Sequence, residues 1–157
     1  MFTKIEFKNK EEAYKDLIKK APFIFEGCEA ITNYANSSAF INAYLKDIEW
    51  VGFYIAFKDK LILGPFQGNP ACVEISYGKG VVGTCAQKKE LINVPDVSKI
   101  DNYISCSSLT KSEICIPVIK DGILLGVLDI DSPNINRFDE TDEMNLSVFV
   151  EILVHYL

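Results

Sequence analysis

The order in which two hydrophobic patterns follow one another constrains the fold of this chain most strongly. Apolar residues at helical spacing occupy residues 11–20 and 29–45, and a third such segment runs from Asp139 to Tyr156. Short runs rich in β-branched and aromatic residues lie between them. Because apolar residues recur every three to four positions in an amphipathic helix and are clustered or alternating in strands, we expect helices at both ends and strands between them.

The middle of the chain predicts about six strands. We expect them at residues 50–57, 61–66, 73–75, 91–94, 113–119 and 123–131, with a short helix at 82–89 and a long connection at 95–112. Hairpin turns are predicted at 58–60 and at Asp121-Gly122. The fold class is therefore α+β, an antiparallel sheet with N- and C-terminal helices packed on one face. At 157 residues, we expect a single domain spanning 1–157.

Charge and hydropathy argue against several classes of partner. The net charge is -6 and the lysines are interspersed with acids, which disfavours a nucleic-acid partner because phosphate backbones are bound by clustered Lys and Arg. The longest apolar runs are far shorter than the roughly 20 residues that cross a bilayer, so no membrane partner is expected. The charged start of the chain lacks a signal-type apolar segment, and we expect a cytoplasmic protein.

The number and spacing of the five cysteines suggest redox chemistry for some of them. Their odd number and irregular spacing fit neither an all-paired disulfide scaffold nor a zinc site built on close cysteine pairs. The single histidine, His155, excludes most sites that combine a histidine base with histidine ligands. We therefore expect no metal and no cofactor. Packing roles are predicted for Cys28, Cys85 and Cys115, although a minor redox role is open for Cys85.

Two aspartates two residues apart, Asp129 and Asp131, lie in an apolar strand and must share one face of it. Whether Glu113 joins them depends on the turn. A two-residue turn would place Glu113 opposite Ile130, whereas a three-residue turn at 120–122 would place it opposite Asp129. We predict the second register because it collects the three acids on one face.

Three carboxylates on one half-buried face would raise at least one pKa by mutual repulsion. The result would be a neutral acid able to donate a proton, beside anions able to hold an ammonium group. A solvated strand face or a divalent-cation site would explain the same residues. The sequence alone leaves these alternatives open.

Seven short motifs together resemble the free methionine-(R)-sulfoxide reductases, a family with the GAF fold. In this chain they begin at Trp50, Leu63, Pro70, Gly78, Val94, Ser112 and Gly126, and their segments are WVGFY, LGPFQG, PAC, GKGV, VPDV, SEI and GVLDIDS. Their order and spacing match the family from about residue 26 to the end of the chain.

The resemblance implies reduction of free L-methionine-(R)-sulfoxide to methionine. It implies that Cys106 attacks the sulfoxide sulfur and becomes a sulfenic acid, that Cys72 resolves it as a disulfide, and that thioredoxin or a similar dithiol recycles the enzyme. It further implies that the substrate is bound by three acids and by two aromatic residues around its methyl group, namely Glu113, Asp129, Asp131, Trp50 and Tyr54. Family members often pair, so the resemblance leaves a homodimer open.

Two departures from the family and two rival interpretations accompany this prediction. Val82 occupies the position of the family's third cysteine, and the sequence around Cys106 reads Tyr-Ile-Ser-Cys-Ser where the family usually has His-Ile-Ala-Cys-Asp. A GAF module that binds a small ligand without chemistry is one rival, and a thiol redox sensor using Cys72 and Cys106 is the other. Without the family pattern, Trp50 and Tyr54 suit core packing as well as a substrate cage.

Overall fold

The computed structural model of the chain describes residues 6–104 and 107–157. In that part of the chain, four α-helices and six strands alternate with loops and one short 3-10 helix at Val97–Lys99. In chain order the elements are α1 (Lys10–Phe25), α2 (Ala30–Tyr44), β1 (Trp50–Phe57), β2 (Lys60–Gln67), β3 (Glu74–Ser76), α3 (Gly80–Lys88), β4 (Ile92–Val94), β5 (Ser112–Lys120), β6 (Ile123–Ser132) and α4 (Glu140–His155).

The six strands form one antiparallel sheet in the order β3-β2-β1-β6-β5-β4. Helices α1, α2 and α4 contribute to one apolar core with the side chains on one face of the central strands, among them Val51, Phe53, Ile114, Leu128 and Ile130. Helix α3 packs with the opposite face. The predicted α+β sheet with N- and C-terminal helices on one face is confirmed.

Helix α1 continues past Pro22 and ends at Phe25, five residues beyond the predicted end. A proline inside a helix removes one backbone hydrogen bond and usually ends the helix. Here the apolar stripe continues on both sides of it, because Leu17, Ala21 and Phe25 are all fully buried. The burial of Phe25 against Phe149 of α4, with the ring centroids 5.8 Å apart, therefore offsets the lost bond.

The hairpin between β5 and β6 corrects the predicted register. Its turn has two residues, Asp121 and Gly122, both with positive φ, as a type I′ turn requires. The pairing then shifts by one residue between Val118 and Ile119, where Leu125 bulges out of the β6 ladder. Glu113 consequently lies opposite Asp131, not opposite Asp129 as predicted.

The error does not change which residues share a face. The observed and the predicted pairings differ by two residues along β6, and side chains alternate with a period of two. Glu113, Asp129 and Asp131 therefore still lie on the same face of the sheet.

None of the helices within residues 6–104 and 107–157 is long and apolar enough to pass through a bilayer.

Candidate functional site

A pocket opens on the face of the sheet opposite to helices α1, α2 and α4. Its cavity volume is about 40 Å³. Strands β1, β5 and β6 supply one wall, and α3 with the loops that follow β2 and β4 supplies the other. All three predicted acids and both predicted aromatic residues line it, namely Glu113, Asp129, Asp131, Trp50 and Tyr54.

The three acids on the sheet wall are buried or half-buried and lie close together. Glu113 and Asp129 are 4% and 5% exposed, and Asp131 is half-buried. Burial, followed by the charge of Asp131, raises the pKa of Glu113 to about 8. Burial and neighbouring carboxylates likewise raise the pKa of Asp129 and of Asp131 well above their usual range. At neutral pH this wall can therefore hold at least one proton as well as negative charge.

Trp50 and Tyr54 can lie side by side on the sheet wall because β1 has a glycine, Gly52, between them. Trp50 stacks on Phe66 with ring centroids 5.4 Å apart and on Tyr54 with centroids 6.0 Å apart. A Cβ atom added to Gly52 would come within 2.6 Å of the Trp50 ring. The missing side chain of Gly52 thus lets the indole lie flat on the strand between its neighbours.

Both aromatic residues also hold the loop after β2. The indole nitrogen of Trp50 donates to the backbone carbonyl of Asn69 at 3.0 Å, and the Tyr54 hydroxyl donates to the carbonyl of Cys72 at the same distance. Strand β1 therefore fixes the backbone that carries Cys72. Neither bond is evident from the sequence, because backbone acceptors have no residue signal.

Of the two predicted redox cysteines, the structure describes one. Cys72 is half-buried and disulfide-bonded. Cys106 lies outside the described residues. The next described residue, Ser107, lines the pocket, and so does Ile104 on the other side of the gap. The ends of the chain on both sides of Cys106 are thus at the pocket.

Glu49 is a fourth acid at the pocket that was not predicted. It precedes β1 and accepts hydrogen bonds from Thr110 Oγ1 at 2.6 Å and from Ser107 Oγ at 3.4 Å. It also contributes, after burial and Asp129, to raising the pKa of Asp131. The acid thus ties the loop between β4 and β5 to the sheet. Its position directly before Trp50, a predicted pocket residue, could have indicated from the sequence that it lies at the pocket.

The other cysteines have different environments. Cys85 is fully buried, as predicted, and burial raises its pKa, so this thiol is a poor nucleophile. Val82, one helical turn earlier on α3, lines the pocket. Cys28 is exposed, which contradicts the predicted packing role; it lies in the short loop after α1, beyond the apolar stripe.

Cys115 is buried as predicted, but it does more than fill space. Its thiol lies 3.3 Å from Glu113 Oε1 and 3.4 Å from Asp129 Oδ1, and the possible ligand atoms of the three residues all lie within 4.8 Å of one another. The three could together contact one cation. Burial raises the pKa of the Cys115 thiol well above its usual range, however, and only a thiolate is a good metal ligand.

Comparisons with known proteins agree with this architecture. The GAF domain family model matches residues 24–155. The free methionine-R-sulfoxide reductase of Saccharomyces cerevisiae is 42% identical over 92% of this chain and 86% of its own length, and that of Escherichia coli is 40% identical over 90% and 87%. The X-ray structure of free methionine-R-sulfoxide reductase from Neisseria meningitidis in complex with its substrate superimposes with a TM-score of 0.91, at 35% identity over 97% of this chain and 92% of that one.

Proposed function

Because this chain belongs to the family of the free methionine-(R)-sulfoxide reductases, which have the GAF fold, we propose that it reduces free L-methionine-(R)-sulfoxide to L-methionine. The observation that carries the proposal is the meeting of two kinds of side chain on the sheet wall of one pocket. Strands β5 and β6 supply three buried or half-buried carboxyl groups, and the neighbouring strand β1 supplies the stacked rings of Trp50 and Tyr54.

The ammonium group of the substrate suits the acids of the pocket, and its sulfur-bound methyl group suits the aromatic rings. The α-ammonium group of a free amino acid needs anionic partners, and Asp129 and Asp131 supply carboxyl oxygens for it. The methyl group on the polarised sulfur is apolar with a partial positive charge, which favours an aromatic ring face. A substrate whose amino group lies in a peptide bond has no ammonium to offer. We therefore expect selectivity for the free amino acid.

Glu113 is the group best suited to protonate the sulfoxide oxygen. Its pKa of about 8 leaves it mostly protonated at neutral pH, and a carboxylic acid of that pKa can give up its proton as negative charge develops on oxygen. Oxygen bound to a sulfur under attack becomes more basic, so the proton transfer accompanies bond formation.

We assign the redox steps to two cysteines. The Cys106 thiolate attacks the sulfoxide sulfur, the oxygen passes to Cys106, and methionine leaves after gaining two electrons. Cys106 is then a sulfenic acid. The Cys72 thiol attacks its sulfur, water leaves, and a disulfide forms. A dithiol such as thioredoxin returns two electrons and restores both thiols, and the need for such a reductant supports our proposal of a cytoplasmic location. The disulfide-bonded state of Cys72 is consistent with the resolving role.

The test is methionine release from the purified protein given free L-methionine-R-sulfoxide, with thioredoxin or dithiothreitol as reductant. Parallel reactions contain the S epimer and a peptide-bound sulfoxide. We expect turnover of the free R epimer alone. Absence of turnover with both reductants would contradict the proposal and favour a ligand-binding GAF module or a thiol sensor.

Variants of the cysteines separate the two redox roles. Cys106→Ser should release no methionine. Cys72→Ser should release one methionine per enzyme and then stall with thioredoxin, whereas dithiothreitol should partly restore turnover because a small thiol can reduce a sulfenic acid directly. Cys28→Ser, at an exposed site away from the pocket, is the matched control and should keep wild-type turnover. Multiple turnover by Cys106→Ser would refute its assignment as nucleophile.

A further inference from the structure

The pairing of β5 with β6 places the Cys115 side chain among the acids of the pocket. It pairs with Asp129 across the two strands, and Glu113 precedes it by two residues on the same face. Its side chain is fully buried, with the sulfur 3.3 Å from Glu113 Oε1 and 3.4 Å from Asp129 Oδ1. Both distances are within the range of a hydrogen bond from a thiol.

The thiol of Cys115 is placed to donate a hydrogen bond to a carboxyl oxygen of either Glu113 or Asp129. Carboxyl oxygens of Glu113 and Asp129 also lie within 4.8 Å of each other, so repulsion between two buried negative charges favours a proton on one of the two groups. The Cys115 thiol keeps its proton, because burial and the two acids raise its pKa. A thiol has one proton to donate. It can therefore always donate to a carboxyl group of the pair, and the contact is strongest with an ionised one.

We propose that Cys115 is a positioning residue for the pair formed by Glu113 and Asp129. The thiol of Cys115 donates a hydrogen bond to the ionised member of the pair, and this bond sets the pH range over which the pair holds a single proton. The inference rests on the proposed function, in which one proton on this pair is needed for the sulfoxide oxygen. Without the thiol donor, the ionised forms lose a contact. Both proton-loss steps of the pair then move to higher pH.

Besides Cys115, six titratable groups lie around the Glu113–Asp129 pair on the elements that pack against it. They are Asp131 on β6, Tyr54 on β1, Cys85 on α3, Tyr103 and Glu49 on the loops, and Lys79 before α3. The pKa values of Tyr54, Tyr103 and Cys85 are raised by burial, so these groups stay neutral over the range of interest. Substitution of Cys115 leaves all six unchanged in identity.

The experiment uses the full chain, reduced and free of substrate, with ¹³C-labelled Glu and Asp carboxyl groups. Carboxyl shifts are followed by NMR from pH 5 to pH 10 and assigned with Glu113→Gln and Asp129→Asn. Cys115→Val removes the donor while keeping a similar volume in a strand. Cys115→Ser keeps a donor. Cys85→Ala removes a buried thiol that donates no hydrogen bond within the described part of the chain, and it is the matched control.

We expect the titration of the pair to move up by roughly half to one pH unit in Cys115→Val and to stay at or below its wild-type position in Cys115→Ser. The pH profile of kcat/KM should move in the same direction in Cys115→Val and remain in place in Cys85→Ala. An unshifted pair in Cys115→Val, or equal shifts in the Val and Ser variants, would overturn the proposal. A wild-type protein that releases no methionine at any pH would instead contradict the proposed function, while the NMR titration would still decide whether the thiol holds the acids.

Discussion

The two faces of the central sheet are both covered, yet they bury different kinds of side chain. Leu128 and Ile130 of β6 enter a core of aliphatic and aromatic groups under three helices. Asp129 and Asp131, their neighbours on the same strand, enter a pocket and have raised pKa values. Strand alternation alone separates the two sets, because consecutive side chains point to opposite faces.

The comparison shows how one strand can serve stability and chemistry at once. Burial of apolar groups on the helix face stabilises the fold by about 25 cal/mol for each Å² removed from water. Burial of carboxyl groups on the pocket face costs free energy, since the charged form loses its hydration. The helix face must offset that cost. We therefore expect substitutions on the helix face to change mainly the free energy of unfolding, and substitutions on the pocket face to change mainly kcat/KM.

The largest expected effect comes from Asp129→Asn. The amide keeps the size of the side chain but cannot carry the negative charge that we assign to it, so kcat/KM for free methionine-R-sulfoxide should fall at least about 100-fold. The free energy of unfolding should be unchanged or higher, because a costly buried acid is removed. Steady-state kinetics and urea denaturation on the same preparation measure both.

The matched control is the preceding residue, Leu128→Ala. Loss of a fully buried leucine should lower the free energy of unfolding by about 3 kcal/mol. The folded fraction should retain kcat/KM within about threefold. If Leu128→Ala lowered kcat/KM as much as Asp129→Asn at a temperature where it is folded, the two faces would not be separable.

The second prediction concerns pH and Glu113→Gln. The folded-state pKa of Glu113 is about 8 and its ordinary value is 4.5, so the folded protein holds this proton over a range in which the unfolded chain has lost it. The stability contributed by Glu113 is therefore fully present below pH 4.5 and is lost as pH rises to about 8. Glutamine does not titrate. Relative to the wild type, Glu113→Gln should gain at least about 2 kcal/mol in free energy of unfolding between pH 5 and pH 9.

Urea denaturation of both proteins at pH 5, 7 and 9 checks this sign. A difference that stays constant with pH would mean that Glu113 titrates normally in the folded state. The same buffers can be used for Cys28→Ser, whose difference from wild type should not vary with pH over the carboxyl range.

Strand periodicity predicted the pocket face better than the pairing. Asp129 and Asp131 share a face because they are two residues apart in one strand. Glu113 shares that face in any register that pairs it with one of the two, so a register shifted by two preserves the face. The pairing depends on a bulge at Leu125, and a leucine does not indicate a bulge in a sequence. The residue that could have indicated it is the next one, Gly126, because a glycine inside a strand often marks a bulge or a close approach of two backbones. A Cβ atom at Gly126 would come within 2.5 Å of the Tyr54 carbonyl oxygen.

Helix α2 shows that apolar residues at helical spacing do not always mark the buried face of a helix. Its alanines lie at helical spacing, but Ala35 and Ala39 are exposed, and the buried positions include Asn33 and Ser38. These polar side chains bond to backbone carbonyls: Asn33 Nδ2 donates to the carbonyl of Tyr156, and Ser38 Oγ contacts that of Pro65. A buried polar group is tolerated when such a partner exists, and the sequence does not show the partner.

The smallest expected effect lies at the edge of the helix face, where α1 meets α4. The Tyr14 hydroxyl donates to Asp142 Oδ1 at 2.8 Å, and Asp142 is fully buried. In Tyr14→Phe this bond is lost, while Lys10, Arg137 and the backbone N–H of Asp139 still hold the carboxylate. The free energy of unfolding should therefore fall by only about 1 kcal/mol, and kcat/KM with its pH profile should be unchanged.

Tyr34→Phe is the matched control for this bond. Tyr34 is a buried tyrosine of the same core whose hydroxyl makes no hydrogen bond to the described residues, so its removal should change the free energy of unfolding by less than about 0.5 kcal/mol. An equal decrease in the free energy of unfolding in the two variants would show that the hydrogen bond of the Tyr14 hydroxyl adds nothing to stability beyond packing. A shift of the kcat/KM profile in Tyr14→Phe would show that the Asp142 cluster is coupled through the sheet to the acids of the pocket, and the separation of the two faces would fail at that point.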